Sequence, residues 1–240
     1  MGVETVAETD VGRRRDHNED SVLAVSTDSG ELLAVADGMG GHSAGDVASA
    51  TALEAFAEDL ERRAGAEPAE ALERAVRTAD EAVREAAAAD SGREGMGTTL
   101  VAALVGDDTT TVVNVGDSRA YSVTDDAIEQ VTVDHSLVQQ LVDAGQLTQE
   151  EAAAHPRRNV ISQALGASDG VDPDTFSLEL DPGETLLLCS DGLTEEVPES
   201  TIHEVVSTTD ALADAADILV ETANENGGSD NVSAVLGRRG

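Results

Sequence analysis

The chain has 240 residues, the length of one large domain or two small ones. That is enough to bury a core without disulfides or structural metal, which excludes a disulfide-stapled mini-protein. It carries 49 Asp and Glu against 14 basic residues, all of them Arg, and a formal net charge of -35 excludes non-specific attraction to nucleic acid or to anionic lipid.

Apolar residues make up 40% of the chain and fall in periodic runs, so the acidity reads as the skin of a folded globule and not as disorder. No apolar run approaches the roughly 18 residues that cross a bilayer, and residues 1–10 lack the basic and apolar regions of a secretory leader. The single Cys189 can form neither an internal disulfide nor a thiolate zinc site. A soluble, cytoplasmic, monomeric protein without a membrane or nucleic-acid partner is expected. Phe56, Tyr121 and Phe176 are the only aromatic residues, so the core must be built from Ala, Val, Leu and Ile. Absent Lys with abundant Asp and Glu points to adaptation to a salt-saturated cytoplasm, where a Debye length of about 3 Å at molar salt makes such self-repulsion tolerable.

Three strands are expected first, over 4–8, 21–26 and 31–36, the last two as continuous apolar runs buried on both faces. Two helices follow. One starts near Ser43 with Val47, Leu53, Phe56, Ala57 and Leu60 on its inner face; the other starts at Pro68 with Leu72, Ala75, Val76, Ala79 and Val83 inward. Strands over 98–105, 109–115, 119–123 and 127–133, separated by Asp and Gly turns, are expected as an antiparallel meander. A polar helical region over 136–144 and 148–154 comes next, then strands over 175–180 and 184–190. A helix capped by Asp210 and a strand over 231–236 close the chain. Blocks of strands and blocks of helices indicate an α+β fold, and strands apolar throughout need cover on both faces: a layered sandwich, helices outside and two sheets inside. No repeat or linker divides it, so residues 1–240 are expected to form one domain.

Two apolar strands end alike, in Ala36-Asp37-Gly38 and Ser190-Asp191-Gly192; a third ends in Gly116-Asp117-Ser118-Arg119, and Ser229-Asp230-Asn231 precedes the final strand. Asp-Gly is an ordinary turn dipeptide, but four acidic strand ends are harder to assign to turns alone. Carboxylates gathered without cationic neighbours resist ionisation unless metal neutralises them. All-oxygen ligation selects a hard ion, Mg²⁺ or Mn²⁺, and the EF-hand calcium pattern is absent. In residues 9–20, Arg13-Arg14-Arg15 forms a basic cluster inside this acidic chain, and one of these guanidinium forks could clamp a phosphoryl group beside the metals.

Taken together, Thr9-Asp10-x-Gly12-x-x-Arg15-x-x-Asn18-Glu19-Asp20, Ala36-Asp37-Gly38-Met39-Gly40-Gly41-His42, Gly97-Thr98-Thr99, Gly116-Asp117-Ser118-Arg119, Asp134-His135-Ser136, His155-Pro156-x-x-Asn159-Val160, Ser190-Asp191-Gly192-Leu193 and Ser229-Asp230-Asn231 resemble the metal-dependent protein phosphatases of type 2C in their bacterial form. The resemblance spans the whole chain in the family's order. It implies two antiparallel sheets flanked by helices, a four-layer α-β-β-α sandwich, with a two-metal centre of Mn²⁺ or Mg²⁺ in the cleft at one end. By motif, Asp37 would bridge the two ions and the Gly38 carbonyl would ligate one; Asp191 and Asp230 would hold the other, with Glu19 and Asp20 reaching it through water. A weaker third site would involve Asp117 and Asp191. Arg15 falls where the family grips the substrate phosphate.

The implied activity is hydrolysis of phosphoserine and phosphothreonine in phosphoprotein substrates, opposing a serine/threonine kinase. A water bridging two dications about 3.5–4 Å apart supplies hydroxide near neutral pH, and Arg15 offsets charge on the phosphoryl oxygens. Met39 stands where the eukaryotic branch carries a His, which leaves His42, His17 or metal-bound water as the acid for the departing oxygen. The stretch 134–166 matches the family's mobile flap. One rival is a dinucleotide enzyme, argued by Gly38-x-Gly40-x-x-Ser43, but the third Gly is missing and no acidic strand end follows about 20 residues on. The other is a non-catalytic phosphoprotein-binding protein of the same fold, which would be expected to have lost metal ligands.

Overall fold

Strand β3 (Gly30–Met39) sends its alternate side chains into two different cores, as the two-residue period of a strand requires. The computed structural model describes residues 2–40, 44–62, 65–107, 109–167 and 170–240. Leu32, Ala34 and Ala36 pack with Phe56 of α1 (Ala44–Glu61) and with Leu72 and Val76 of α2 (Pro68–Ala88). Leu33 and Val35 point the other way, onto Leu186, Leu188 and Val235 of a second sheet. A third core covers that sheet's far face, where Tyr121, Leu187 and Leu236 meet Ile202 of α6 (Glu199–Thr208) and Leu219 of α7 (Leu212–Asn226). Three apolar interfaces between four layers make the α-β-β-α sandwich expected from the sequence.

One sheet runs β2 (Asp20–Thr27), β3, β5 (Leu100–Val105), β6 (Thr110–Val115), β9 (Asp174–Leu178), with the two-residue β4 (Gly97–Thr98) paired to the end of β3. The other runs β1 (Val3–Asp10), β11 (Val232–Arg239), β10 (Thr185–Cys189), β7 (Arg119–Val123), β8 (Ile128–Gln130). Every pairing is antiparallel.

Several expectations need correction. The four strands over 98–133 are not a meander: β6 and β7 lie in different sheets, and the chain crosses from one to the other at Gly116-Asp117-Ser118. The first of these strands breaks at Thr99, whose amide and hydroxyl both bond the backbone of Asp37. Strand β2 is an edge strand, only half-buried, with Val25 exposed, so its apolar run does not mark cover on both faces. Asp210 does not cap α7, which starts after Ala211 without a side-chain cap. Helix α6 was not anticipated. Its signal was present in Pro198 before the helix and in Ile202, Val205 and Val206 at helical spacing. The expected start at Ser43 lies outside the described residues.

The excursion 134–166 holds α3 (Leu137–Asp143), capped by Ser136, and α4 (Gln149–Ala153), opened by a Thr148–Glu151 capping box. Both of its ends are anchored. Ser136 bridges to Ile161 and Leu165 to Thr98, which fixes the excursion beside the crossover at Asp117.

A candidate metal and phosphate site where the sheets meet

Strand register brings the carboxylates together. Cys189 stands opposite Arg119 on one side and Ala234 on the other, so the chain just beyond this row, at Asp191, Asp117 and Asp230, lies side by side at one end of the sheet. Asp191 is the first residue of the short helix α5 (Asp191–Thr194). In the facing sheet Asp20 sits directly opposite Asp37. Five acidic side chains from two sheets therefore share one end of the sandwich.

Their electrostatics follow. Burial, and then repulsion from Asp20, Asp191, Asp117 and Asp230, holds the Asp37 carboxyl well above the usual carboxylate range. Burial, reinforced by Asp117, Glu195 and Asp230, pushes Asp191 up to about 8. Burial pushes Asp117 up to about 6, with Asp134 adding to it. Asp20 rises to about 6 through burial, although hydroxyls of Ser233 and Ser190 donate to its Oδ2 at 2.6 and 2.8 Å and oppose the shift. Its other oxygen, Oδ1, is buried without a hydrogen-bond partner. Such an orphan acceptor among repelling carboxylates is what a divalent cation would satisfy, and the oxygen-only donor set suits a hard ion.

Among the described residues, no three acidic, imidazole or thiol groups close on one point as a finished ligand set. Mutual repulsion accounts for this: Asp230 turns to Arg15, whose Nη2 donates to Oδ2 at 2.5 Å, and Asp20 turns to the two serines.

The backbone around Asp37 is clamped from β4 and from the break that follows it. Thr99 Oγ1 accepts from the Asp37 amide at 2.9 Å and shares a 2.7 Å bond with Ser118 Oγ, next to Asp117; Thr98 Oγ1 donates to the Asp37 carbonyl. One buried hydroxyl thus ties the Asp37 strand to the Asp117 crossover. Gly38 meets Gly45 at the start of α1 so closely that a Cβ on Gly38 would lie 2.1 Å from the Gly45 carbonyl oxygen. A Cβ on Gly45 would sit 2.8 Å from the Gly38 carbonyl oxygen and 2.9 Å from Glu19 Oε1. The bare glycines therefore let the Gly38 carbonyl and the Glu19 carboxylate approach one another. Burial raises the Glu19 pKa, while Arg15 and the Gly45 amide oppose the shift.

Arg15 belongs to an arm, residues 11–19, which one side chain holds at three points. Asn231 Nδ2 donates to the carbonyls of Val11 and His17, both at 2.9 Å, and Oδ1 accepts from the Glu19 amide at 2.8 Å. Asn231, Thr98, Thr99 and Ser190 stood in the sequence motifs and Ser233 two residues beyond one, but nothing local in the chain marks them as positioning the carboxylates and the arm.

Beside Asp117 and Asp191 opens a cleft of about 700 Å³, bordered by Asp134, Val138 and Ala152 of the excursion and by Glu195 and Glu199. Arg119 and Arg158 also line it, each paired to a carboxylate, Asp134 at 2.7 Å and Glu195 at 3.4 Å. Of the imidazoles weighed as acids, His17 is exposed on the arm and His42 lies outside the described residues. His135 is buried, with its Nε2 3.1 Å from Asp174 Oδ2 and its Nδ1 accepting from the Gly116 amide, so it braces the crossover.

The description "Protein phosphatase 2C" belongs to a family model that matches residues 11–237. A serine/threonine phosphatase, stp, of Listeria monocytogenes is 41% identical over 236 residues, 96% of this chain and 94% of that protein. The crystal structure of the Mycobacterium tuberculosis serine/threonine phosphatase PstP superposes with a TM-score of 0.91 at 39% identity, covering 100% of this chain and 99% of that one. A PstP catalytic domain in complex with two manganese ions gives a TM-score of 0.86 at 39% identity, over 98% and 97% of the two chains.

Proposed function

The chain belongs to the protein phosphatase 2C family, and on that premise we propose that it is a divalent-metal-dependent protein phosphatase acting on phosphoserine and phosphothreonine. The observation that carries this reading is the gathering of Asp37, Asp191, Asp117 and Asp230, with pKa values raised by burial and repulsion at Asp37, Asp191 and Asp117, beside the guanidinium of Arg15.

Asp37, the Gly38 carbonyl, Asp191 and Asp230 are the groups that would hold two ions, with Glu19 and Asp20 behind them and Asp117 with Asp191 at a third position. Bound there, Mn²⁺ or Mg²⁺ would supply Lewis acidity, which activates water near neutral pH and neutralises phosphoryl charge. The protein's own contribution is positional. Arg15 spends one of its five N–H groups on Asp230, so its remaining donors can fork onto two phosphate oxygens while the ion pair keeps the guanidinium aimed. Thr98 and Thr99 fix the backbone of Asp37, and Ser190 and Ser233 fix Asp20. Preorganised groups of this kind need no rearrangement as charge develops on the phosphoryl oxygens.

The physiological substrates on this reading are products of a serine/threonine kinase, and residues 1–240 work as one catalytic domain. Val25, Val133, Val160 and Ile218 are the only large apolar side chains exposed among the described residues, and so few support a monomer. No described helix is long and apolar enough to cross a membrane, which is compatible with a cytoplasmic site of action. The net charge of -35 without Lys supports adaptation to concentrated salt. The test is phosphate release from a phosphothreonine peptide in molar KCl, with Mn²⁺ and with a chelator. Metal-requiring release is expected; none from protein shown by circular dichroism to be folded would favour a non-catalytic phosphoprotein-binding role.

A further inference from the structure

The three consecutive arginines of the arm are not used alike. Arg15 is ion-paired with Asp230. Arg13 and Arg14 are exposed, and among the described residues neither guanidinium has a hydrogen-bond or ion-pair partner, in a chain with 49 acidic residues. Elsewhere among the described residues Arg62, Arg74, Arg77, Arg84, Arg93, Arg119 and Arg158 pair with carboxylates, and Arg238 and Arg239 donate to backbone carbonyls. Arg157 is the other described arginine left unpaired.

The two free guanidiniums stand on a fixed support. The Arg13 amide donates to the Gly228 carbonyl at 2.8 Å, one turn from Asp230, and Gly12 before it packs against the carbonyls of Asp230 and Gly228. The only acid within the arm's exposed turn is Asp16, and Glu196 on the facing loop is occupied by the Ser229 amide. The cleft beside Asp117 and Asp191 also presents Asp134, Glu195 and Glu199, with its two arginines already neutralised. A substrate with a second anionic group is repelled there and attracted to the arm.

We propose that Arg13 and Arg14 form a second anion subsite, which favours phosphoprotein segments carrying another phosphorylated residue close to the one being hydrolysed. The inference rests on the phosphatase reading above. Its reach is set by chain geometry: Arg14 and Arg13 lie one and two residues from Arg15, within about 7 Å along the chain, and an extended peptide places side chains two residues apart at about the same spacing. Unpaired guanidiniums bind phosphate as bidentate forks without first breaking an internal ion pair.

The experiment compares kcat/KM with Mn²⁺, at the lowest KCl concentration at which circular dichroism shows the protein folded, for three peptides of one length. All carry a central phosphothreonine with alanines around it; one keeps only these, one has a single second phosphothreonine two residues away, and one a glutamate at that same position. Two exposed arginines should favour the doubly phosphorylated peptide by about three- to thirtyfold, chiefly through KM, with the glutamate peptide between. In R13A/R14A the ratio of doubly to singly phosphorylated peptide should fall to about one, and R13K/R14K should restore most of it. Equal rates for the three peptides in the unsubstituted protein, or a preference that survives R13A/R14A, would overturn the subsite. Failure to release phosphate from any peptide would instead overturn the phosphatase reading, and the subsite with it.

Discussion

Replacing Asn231 with Ala tests whether the phosphate-gripping arm is positioned by the final strand. The side chain is 4% exposed and makes three hydrogen bonds of 2.8 to 2.9 Å, all to residues 11–19 and none to its own strand. At about 1 kcal/mol net each, with extra cost for leaving a shielded amide and carbonyls unpaired, the loss is about 2–4 kcal/mol if the arm stays docked. An arm that detaches instead sheds that cost locally, and the defect moves from stability to substrate binding because Arg15 and Glu19 travel with it. Two measurements separate these outcomes: urea unfolding at fixed KCl reports the global loss, and amide hydrogen exchange at Glu19, whose N–H bonds Asn231 directly, reports the local one. Either way KM for a phosphopeptide should rise by about tenfold or more, since a misplaced guanidinium costs orientation. N231D keeps the acceptor for Glu19 but loses both donors, so it should resemble N231A. Wild-type KM together with unchanged exchange at Glu19 would refute the mooring.

Four further outcomes follow from the same geometry. D37N should abolish turnover while the metal-free protein keeps its fold and gains stability, since one repelling carboxylate is gone; near-wild-type activity would show that Asp37 does not hold the ions. R15A should raise KM more than it lowers kcat, read by initial rates on a phosphopeptide, and it should also free Asp230. T99V removes the acceptor of the Asp37 amide and the partner of Ser118, so it should cost about 1–3 kcal/mol and lower kcat, with T99S restoring both. The raised pKa values of Asp37, Asp191, Asp20 and Asp117 mean that the folded metal-free protein holds protons that the unfolded chain releases, so with chelator present its stability should fall as pH rises from about 4 to about 8. Urea midpoints across that window, with and without Mn²⁺, check this: saturating metal should remove most of the slope.

What was legible in the sequence follows from the range of the forces involved. Period-two and period-3.6 patterns report burial along one element, so β3, β10, α1 and α2 could be placed to within a few residues. The acidic strand ends were legible for the same reason, because each borders an apolar run. Partnership across the fold leaves no such local trace. The runs now seen as β6 and β7 looked like neighbours joined by a Gly-Asp turn, but Gly116-Asp117-Ser118 carries the chain between sheets, and that crossing is what delivers Asp117 to the others. Edge strand β2 looked fully buried because its run is apolar, but at the edge of the sheet the layers on either side cover it incompletely. Helix α7 breaks the expectation of an acidic cap at Asp210, whose carbonyl instead accepts from Arg238. The positioning residues were least visible of all: Asn231 acts on residues more than 200 positions away, and only the assembled sheets bring them into contact.

The division of the carboxylates between the sheets links stability to activity. Asp20 and Asp37 come from one sheet and Asp117, Asp191 and Asp230 from the strand ends of the other, so their repulsion acts across the interface that Leu33, Val35, Leu186, Leu188 and Val235 hold closed. Ser190 and Ser233 already reach over this interface to one oxygen of Asp20, and the other oxygen is left buried without a partner. Cations held as proposed would convert that repulsion into attraction between the same two sheets, and the free energy of binding them would add to the free energy of folding. Replacing the carboxylates with apolar side chains would relieve the strain more simply, but only by removing the charges that collect the metal. The least comfortable corner of the fold is therefore where the chemistry must sit, and the clamps on Asp37 and the arm hold that corner in shape.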